Sequence, residues 1–383
     1  HVVLALFAAH SEGICLARKI IVRSAGQGEL LLDKWGSPCS PMRANPAIWF
    51  LAVRAGTGTD VFTERLASEL RARGWITGIT WLPLRAEYAP WTVAVPEVPP
   101  WADIVHVNTW LPIRFLPTRV PVVATVHHAV HHPGAMTYKG RVRAAYHRYW
   151  IAPNERRVLG RADYVVAVSE FVSETSRKTL LDVPMHVIYN GIDTDVFRPI
   201  ERERREGAPF RLLYVGSWRA LKGVDLLTPI MRQLGNGFEL YYTGGPAAER
   251  HKRTMPDNMR DIGRLHGERA LVTTMQSADA LLFPTRSEGF GLVAAEAMAC
   301  GVPVVATRCS SIPEIVEDGV TGRLCRPDDP LDFAMAIRQV AVDAEYRTRL
   351  AQQGRNRAVQ RFSVEAMLQK YTSAYSELHE RGS

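Results

Sequence analysis

The chain has 383 residues, 46% hydrophobic and 22% charged, with 47 Lys/Arg against 39 Asp/Glu and a net charge of +8. This length admits two domains of ordinary size, and the composition is that of a folded globular protein, which excludes a disordered or low-complexity chain. The positive balance suits an anionic substrate, an anionic membrane surface or nucleic acid without choosing among them, and no apolar run reaches the roughly 18 residues that span a bilayer.

Residues 1–45 show no sustained period, and Met42 stands just ahead of an apolar strand. An N-terminal extension outside the fold is expected there, with 1–41 as upstream translation or a dispensable arm. The apolar run 2–9 lacks a basic flank, so a signal peptide is not expected. Five cysteines, at 15, 39, 300, 309 and 325, fit no zinc spacing. Free thiols in a reducing compartment are the expectation.

From 46 to 200, strands are expected at 48–53, 75–82, 103–108, 121–127, 164–169 and 185–189. A helix is expected at 60–73, where Phe62, Leu66 and Leu70 recur every four residues, and another at 170–180. Continuous apolar runs such as Tyr164-Val165-Val166-Ala167-Val168 suit strands buried on both faces, hence a parallel sheet. The stretch 198–209 is charged, holds Pro199 and Pro209, and has no apolar face, so it reads as a linker. The alternation then restarts over 201–362. Strands are expected at 211–215, 239–243, 280–283 and 303–307, and helices at 224–234, 269–278 and 291–299. A last amphipathic helix, 363–383, is expected to pack back toward the N-terminal domain. The architecture is α/β, with two Rossmann-like doubly wound domains facing across a cleft, where the carboxyl ends of strands place ligands.

Two segments carry candidate chemistry. In 215–227 a strand ends at Val215, Gly216 permits a turn, and Arg219 and Lys222 precede Gly223 and a helix. Cations at a helix N-terminus make an anion site, because the helix dipole and free N–H groups add to their charge. A solvated basic loop is the plainer alternative. In 285–301, Gly289 and Gly291 flank Phe290 at a helix start, with Glu288 before it and Glu296 inside it among alanines. An unpaired buried carboxylate costs several kcal/mol. Glu296 therefore calls for solvent, a cation or a hydroxyl-rich ligand such as a ribose diol; otherwise it marks the helix's one exposed face.

These segments, together with Val187–Pro199 ("VIYNGIDTDVFRP"), Val120–His128 ("VPVVATVHH") and "ADYVVAVSEF" (162–171), resemble the retaining glycosyltransferases of family 4, which have the GT-B fold. The resemblance runs from Ile48 to the tail, and its most specific part is Glu288 and Glu296 in E-x7-E spacing. It implies an N-terminal acceptor-side domain and a C-terminal nucleotide-sugar-binding domain. Arg219 and Lys222 would neutralise the donor diphosphate, Glu296 would bind the nucleotide ribose, and Glu288 would face the donor sugar. Gly216 would line the donor pocket, and Gly289, Phe290, Gly291 and Leu292 would present backbone N–H groups. His127 would sit near the transferred sugar. The loop Gly56-Thr57-Gly58 would line the cleft, although the family places adjacent glycines there. His106 is a second cleft candidate or a satisfied buried histidine.

The implied reaction moves a sugar from a nucleotide-diphosphate sugar to an acceptor hydroxyl with retention, by front-face attack and without a carboxylate nucleophile. Cell-envelope polysaccharide, glycolipid or a related glycan is the implied product class. A non-catalytic nucleotide-sugar-binding protein or a sugar-nucleotide epimerase of the same fold is the alternative. No cofactor or metal is required, since side chains supply the cations, and the cluster His127, His128, His131 and His132 lacks the carboxylate or paired spacing of a zinc site. A cytoplasmic location is expected. Segment 138–161 holds seven Lys/Arg and one Glu, with Val142, Ala145, Tyr146, Tyr149 and Trp150 as a helical stripe. The stripe is expected to face the core with a solvated basic back; peripheral contact with an anionic membrane or acceptor is the other reading. Nucleic acid is not expected, because no recognition module accompanies the charge.

Overall fold

The computed structural model describes residues 20–24, 27–32, 45–202 and 207–382. Most of the expected extension, Met42 included, lies outside the described residues, as do four residues of the expected linker. The chain divides into two compact units, His1–Pro46 and Ala47–Ser383. In the first, β1 (Ile20–Ser24) and β2 (Gln27–Leu32) pair antiparallel.

The apolar runs of the second unit become two six-stranded sheets whose strands all pair parallel. The first half contains β3 (Ile48–Val53), α1 (Gly58–Ala72), β4 (Thr77–Leu82), α2 (Arg85–Tyr88), β5 (Ile104–Asn108) and β6 (Val122–Val126). It continues with α3 (Pro133–Met136), α4 (Arg141–Tyr146), α5 (Ala152–Arg161), β7 (Tyr164–Ala167), α6 (Glu170–Thr179) and β8 (His186–Val187). Its strand order is β4-β3-β5-β6-β7-β8. The second half contains β9 (Phe210–Tyr214), α7 (Val224–Leu234), β10 (Phe238–Tyr242), β11 (Met259–Asp261), α8 (Glu268–Gln276), β12 (Ala280–Phe283) and α9 (Leu292–Ala299). Then follow β13 (Val304–Thr307), α10 (Ile312–Ile315), β14 (Gly322–Cys325), α11 (Pro330–Val342), α12 (Ala344–Phe362) and α13 (Val364–Gly382). The order β11-β10-β9-β12-β13-β14 reverses between β9 and β12, and such a reversal opens a crevice at the carboxyl ends of the strands.

Strands such as β6, buried along their whole length, explain the unbroken apolar runs. One hydrophobic cluster runs through both halves, joining Val126 and Val165 to Phe290, Ala294 and Met298. The chain returns to its first half at the end: Met367, Leu368, Tyr371 and Tyr375 of α13 share a cluster with Ile48, Phe50 and Ile104. Cys300, Cys309 and Cys325 are free thiols, while Cys15 and Cys39 lie outside the described residues. No described helix is long and apolar enough to cross a membrane.

One expectation is corrected. The stripe of α4 does not face the core: Val142 is 86% and Tyr149 71% exposed, with Trp150 also exposed. The periodicity marks a face correctly, but that face turns outward because α5, not α4, covers the sheet through Val158 and Leu159.

Candidate active site

The loops after β9 and β12 stand side by side because those strands are neighbours at the switch point. Gly223 makes the contact. Its φ is +70°, and a Cβ there would lie 1.9 Å from the Pro284 carbonyl oxygen, so only glycine fits. This approach brings Lys222 Nζ to 2.6 Å from Glu288 Oε1. Thr285 Oγ1 donates to the same carboxylate oxygen at 2.9 Å. The Glu288 N–H donates to Ser310 Oγ at 3.0 Å, and Ser311 Oγ donates to the Phe290 carbonyl at 2.7 Å. Ser310 has a φ of 47°, an uncommon conformation for a residue with a side chain. It aims the hydroxyl at the Glu288 backbone. Arg219 is exposed; its Nε donates to Ser217 Oγ at 3.0 Å, and no carboxylate pairs with it among the described residues. The Gly216 N–H donates to Thr243 Oγ1 at 3.0 Å, which ties this loop to the end of β10.

Helix α9 starts at the same place. Among the described residues the N–H groups of Phe290, Gly291 and Leu292 find no acceptor, the usual condition of a helix N-terminus and a ready anion site. The Phe290 side chain is elsewhere, in the core, with its ring 5.5 Å from that of Phe362. Glu296, one turn into the helix, is 9% exposed, and its carboxylate has no hydrogen bond or ion pair among the described residues. Burial pushes its carboxyl up to about 7; the Arg65 guanidinium opposes this, and Glu268 adds to it. Arg65 is engaged with Glu268 at 2.8 Å and with the Gly191 carbonyl at 3.1 Å.

The first half meets these loops directly. A Cβ on Gly289 would lie 2.0 Å from the His127 carbonyl oxygen and 3.1 Å from His128 Nδ1. Ser169 Oγ donates to the Gly289 carbonyl at 2.6 Å, and the Glu314 carboxylate accepts from the Glu170 and Phe171 N–H groups at 2.8 Å. His127 Nε2 is 2.8 Å from Asn108 Oδ1, and the ring packs edge-on to Phe62 at 4.7 Å. Burial, with His128 and His106 adding to it, holds His127 well below the usual histidine range. His128 keeps open surface beside the site. The mass of protein around it lowers its pKa first; Lys222 and Arg219 lower it further, while Glu288 pulls the other way.

Other expected residues fall outside this constellation. His106 is a core histidine, not a cleft residue. It is 1% exposed, with Nδ1 2.6 Å from the Tyr375 hydroxyl and Nε2 2.8 Å from Thr125 Oγ1, and burial lowers its pKa to about 3. The correction has a plain cause: β5 is a central strand whose face is covered by α13. The glycine loop is exposed at Gly56, Thr57 and Gly58, but its Ala55 and Gly56 N–H groups donate to the Asp60 carboxylate at 3.1 and 2.8 Å. The remaining histidines of the cluster disperse. His131 Nε2 is 2.9 Å from Glu155 Oε2, and the His132 ring lies 5.0 Å from that of Phe171. Among the described residues no three His, Cys, Asp or Glu side chains are grouped to hold a metal ion. A groove of about 720 Å³ opens away from the site, lined by Gln276, Cys300 and Arg355 among others.

Sequence reasoning missed Ser310, Ser311, Ser169, Glu314 and Asn108, which brace the site residues. Their only trace is the polar run Cys309-Ser310-Ser311 after an apolar strand, because each acts through a tertiary contact. It also missed Tyr138, which reaches across from the first half. Its hydroxyl donates to Asp328 at 3.1 Å and its ring carries Arg286 at 4.6 Å, while Arg286 grips Asp225 at 2.6 and 2.7 Å.

Two family models match the chain: "Glycosyl transferases group 1" over residues 209–343 and "Glycosyltransferase Family 4" over residues 94–196. A D-inositol 3-phosphate glycosyltransferase of Xylanimonas cellulosilytica is 30% identical over 72% of each chain. One of Acidothermus cellulolyticus is 29% identical over 84% of this chain and 83% of its own. Among solved structures, the sucrose-phosphate synthase of Thermosynechococcus elongatus superposes with a TM-score of 0.73 at 20% identity, covering 88% of this chain and all (100%) of its own. HepE of Anabaena, solved in complex with UDP-glucose, superposes at 0.64 with 18% identity, covering 86% of this chain and 99% of its own.

Proposed function

The chain belongs to the GT-B glycosyltransferases, and from that premise we propose that its donor is a nucleotide-diphosphate sugar held by the loops after β9 and β12. The observation that carries this reading is the pairing of Lys222 with Glu288 beside the open N–H groups of α9, the helix that also carries the unpartnered Glu296 carboxylate. Lys222 and Arg219 neutralise the diphosphate, and the α9 N-terminus donates to its oxygens. A ribose diol beside Glu296 supplies the hydrogen bonds that its carboxylate lacks, and donation to the charged form draws its pKa back down. Structures of HepE with UDP and with UDP-glucose support a nucleotide sugar as the ligand class.

As the sugar–phosphate bond breaks, negative charge builds on the leaving diphosphate. Fixed cations and N–H groups stabilise it without reorganising. This is the role side chains play here in place of a metal. Glu288 exchanges its contact with Lys222 for the hydroxyls of the transferred sugar, and His127, neutral, hydrogen-bonds the sugar from the opposite half. The acceptor hydroxyl attacks from the face the diphosphate leaves, a departing phosphate oxygen takes its proton, and configuration is retained. The halves meet at Gly289 and His127, so the donor enters by their separation, and reclosure excludes water. A purely binding role or an epimerase is not favoured, since the relatives that match are named as glycosyltransferases.

The test is to supply UDP-, GDP- and ADP-sugars with a panel of hydroxyl acceptors, follow release of nucleoside diphosphate, and read the anomeric configuration of the product by NMR. Acceptor-dependent release with the donor's configuration kept is expected. An inverted product overturns the front-face reading, and release indifferent to every acceptor overturns the transfer reading.

A further inference from the structure

Among the described residues, helix α4 and the π-helical turn after it (His147–Ile151) leave an apolar face without a covering element. Val142, Ala145 and Tyr149 follow one another at steps of three and four, all exposed, so they share a side of the helix. Tyr149 is 71% exposed and is followed by exposed Trp150. A second segment widens the same face. Trp91, 67% exposed, meets Trp150 edge-on with ring centroids 6.2 Å apart. Trp150 Nε1 donates to the Glu87 carbonyl at 2.8 Å, and the Tyr146 hydroxyl donates to the Glu87 carboxylate at 2.9 Å. These bonds hold α2 and α4 together, so Tyr88 and Leu84, both exposed, belong to the same neighbourhood.

The exposed charges of segment 138–161 have one sign. Segment 138–161 carries seven Lys/Arg, and Arg141, Arg143 and Arg148 are exposed on α4 and the turn after it. Its single acid, Glu155, is fully buried and held by Thr109 and His131. Glu87 beside the face is occupied by Tyr146. Large exposed apolar patches mark interaction sites. Exposed Trp and Tyr among arginines match the chemistry of a bilayer interface, where amphipathic rings lie at headgroup depth and basic side chains meet anionic lipid.

We propose that the face formed by Trp91, Val142, Tyr149 and Trp150, ringed by Arg141, Arg143 and Arg148, docks this enzyme on an anionic lipid bilayer. The face lies on the segment that carries Tyr138 across to Asp328 and Arg286, so docking sets the edge of the cleft against the lipid surface. Vesicle binding requires no donor, so this inference stands or falls apart from the donor assignment.

The experiment is co-sedimentation of the full chain with vesicles of pure phosphatidylcholine and of an equimolar mixture with phosphatidylglycerol, at low and high salt. The chain is expected to bind the mixed vesicles, not the neutral ones, and to be released by salt. Val142→Asp with Tyr149→Ser is expected to weaken binding about a hundredfold, by removing two apolar side chains from the interface. Arg141→Gln, Arg143→Gln and Arg148→Gln together are expected to weaken it about a hundredfold, by losing three charges. Both variants should keep the wild-type melting temperature and turnover of a soluble acceptor. Failure of the wild type to bind mixed vesicles overturns the proposal. So does a Val142→Asp, Tyr149→Ser variant that still binds, since that is adsorption of a basic protein by charge alone. Conversion of a wild-type dimer to a monomer by that variant also overturns it, because the face is then a subunit interface.

Discussion

Lys222 Nζ and Glu288 Oε1 lie 2.6 Å apart although 66 residues separate them in the chain. The pair joins the two loops of the switch point, and the proposed mechanism gives each partner a different role once a donor binds. Under the proposed donor assignment, Lys222→Ala removes a cation that stabilises the leaving diphosphate. A loss of about 10²–10³ in kcat/KM is expected, measured as nucleoside diphosphate release at subsaturating donor. A loss under threefold would remove Lys222 from the charge-stabilising set.

Glu296 links the site to stability. Its folded pKa, about 7, lies above its ordinary 4.5, and burial is the main cause. Between those values the folded protein holds a proton that the unfolded chain has released. Stability therefore falls as pH rises through this window, and the cost is complete above it. Glu296→Gln has no such dependence. Relative to wild type it should gain on the order of 3 kcal/mol between pH 4 and pH 8, read from denaturant melts at both pH values. The same variant should bind nucleotide more weakly. A stability difference that does not change with pH contradicts the buried, unpartnered carboxylate.

His127 gives the opposite signature. Its imidazole is held well below the usual histidine range, so it stays neutral across neutral pH. A profile of kcat/KM from pH 6 to pH 8 should show no inflection that is lost in His127→Ala. The variant should lower kcat about 10²-fold by losing a hydrogen bond to the reacting sugar. An inflection near 6.5 that vanishes with His127 would show that the imidazole titrates during turnover.

Gly289 tests closure. A Cβ there meets the His127 carbonyl at 2.0 Å, so Gly289→Ala forces the halves apart where these two residues meet. An ångström of misplacement costs about 10² in rate. Turnover should fall by roughly that factor while donor affinity changes less. Equal losses in both would place the damage in the donor pocket alone.

Much of this arrangement was legible in the chain. Helix α7 and strand β12 were readable because Leu226, Leu227, Ile230, Met231 and Leu234 keep helical spacing and Ala280–Phe283 is uniformly apolar. Strands β11 and β14 escaped notice because three or four residues that include Arg260, Asp261 and Arg323 carry too little pattern. Helix α12 was hidden differently. Its buried residues are Tyr346, Leu350, Gly354, Ala358 and Phe362, a strict step of four, but two of the five are Gly and Ala among many polar neighbours.

In the candidate site, residue types and spacing pointed to Arg219, Lys222 and Glu296, because an anion site or a hydroxyl-rich ligand calls for such groups near a helix start, and the family resemblance added Glu288. Sequence carried no sign that Lys222 closes on Glu288, that Ser310 braces it, or that His106 turns into the core beneath α13. Those are tertiary facts. The α4 stripe shows the same boundary: periodicity reveals that a face exists, and packing decides which way it turns.

The most direct measurement is calorimetric titration of UDP-, GDP- and ADP-sugars into the wild-type chain, an Arg219→Ala, Lys222→Ala double variant and Glu296→Ala. Saturable one-to-one binding of one nucleotide class, abolished in the double variant and weakened at least tenfold in Glu296→Ala by loss of the ribose contact, is the predicted result. Binding of a nucleotide sugar with the same affinity in all three proteins, or of none by a folded wild type, would contradict the donor site described above.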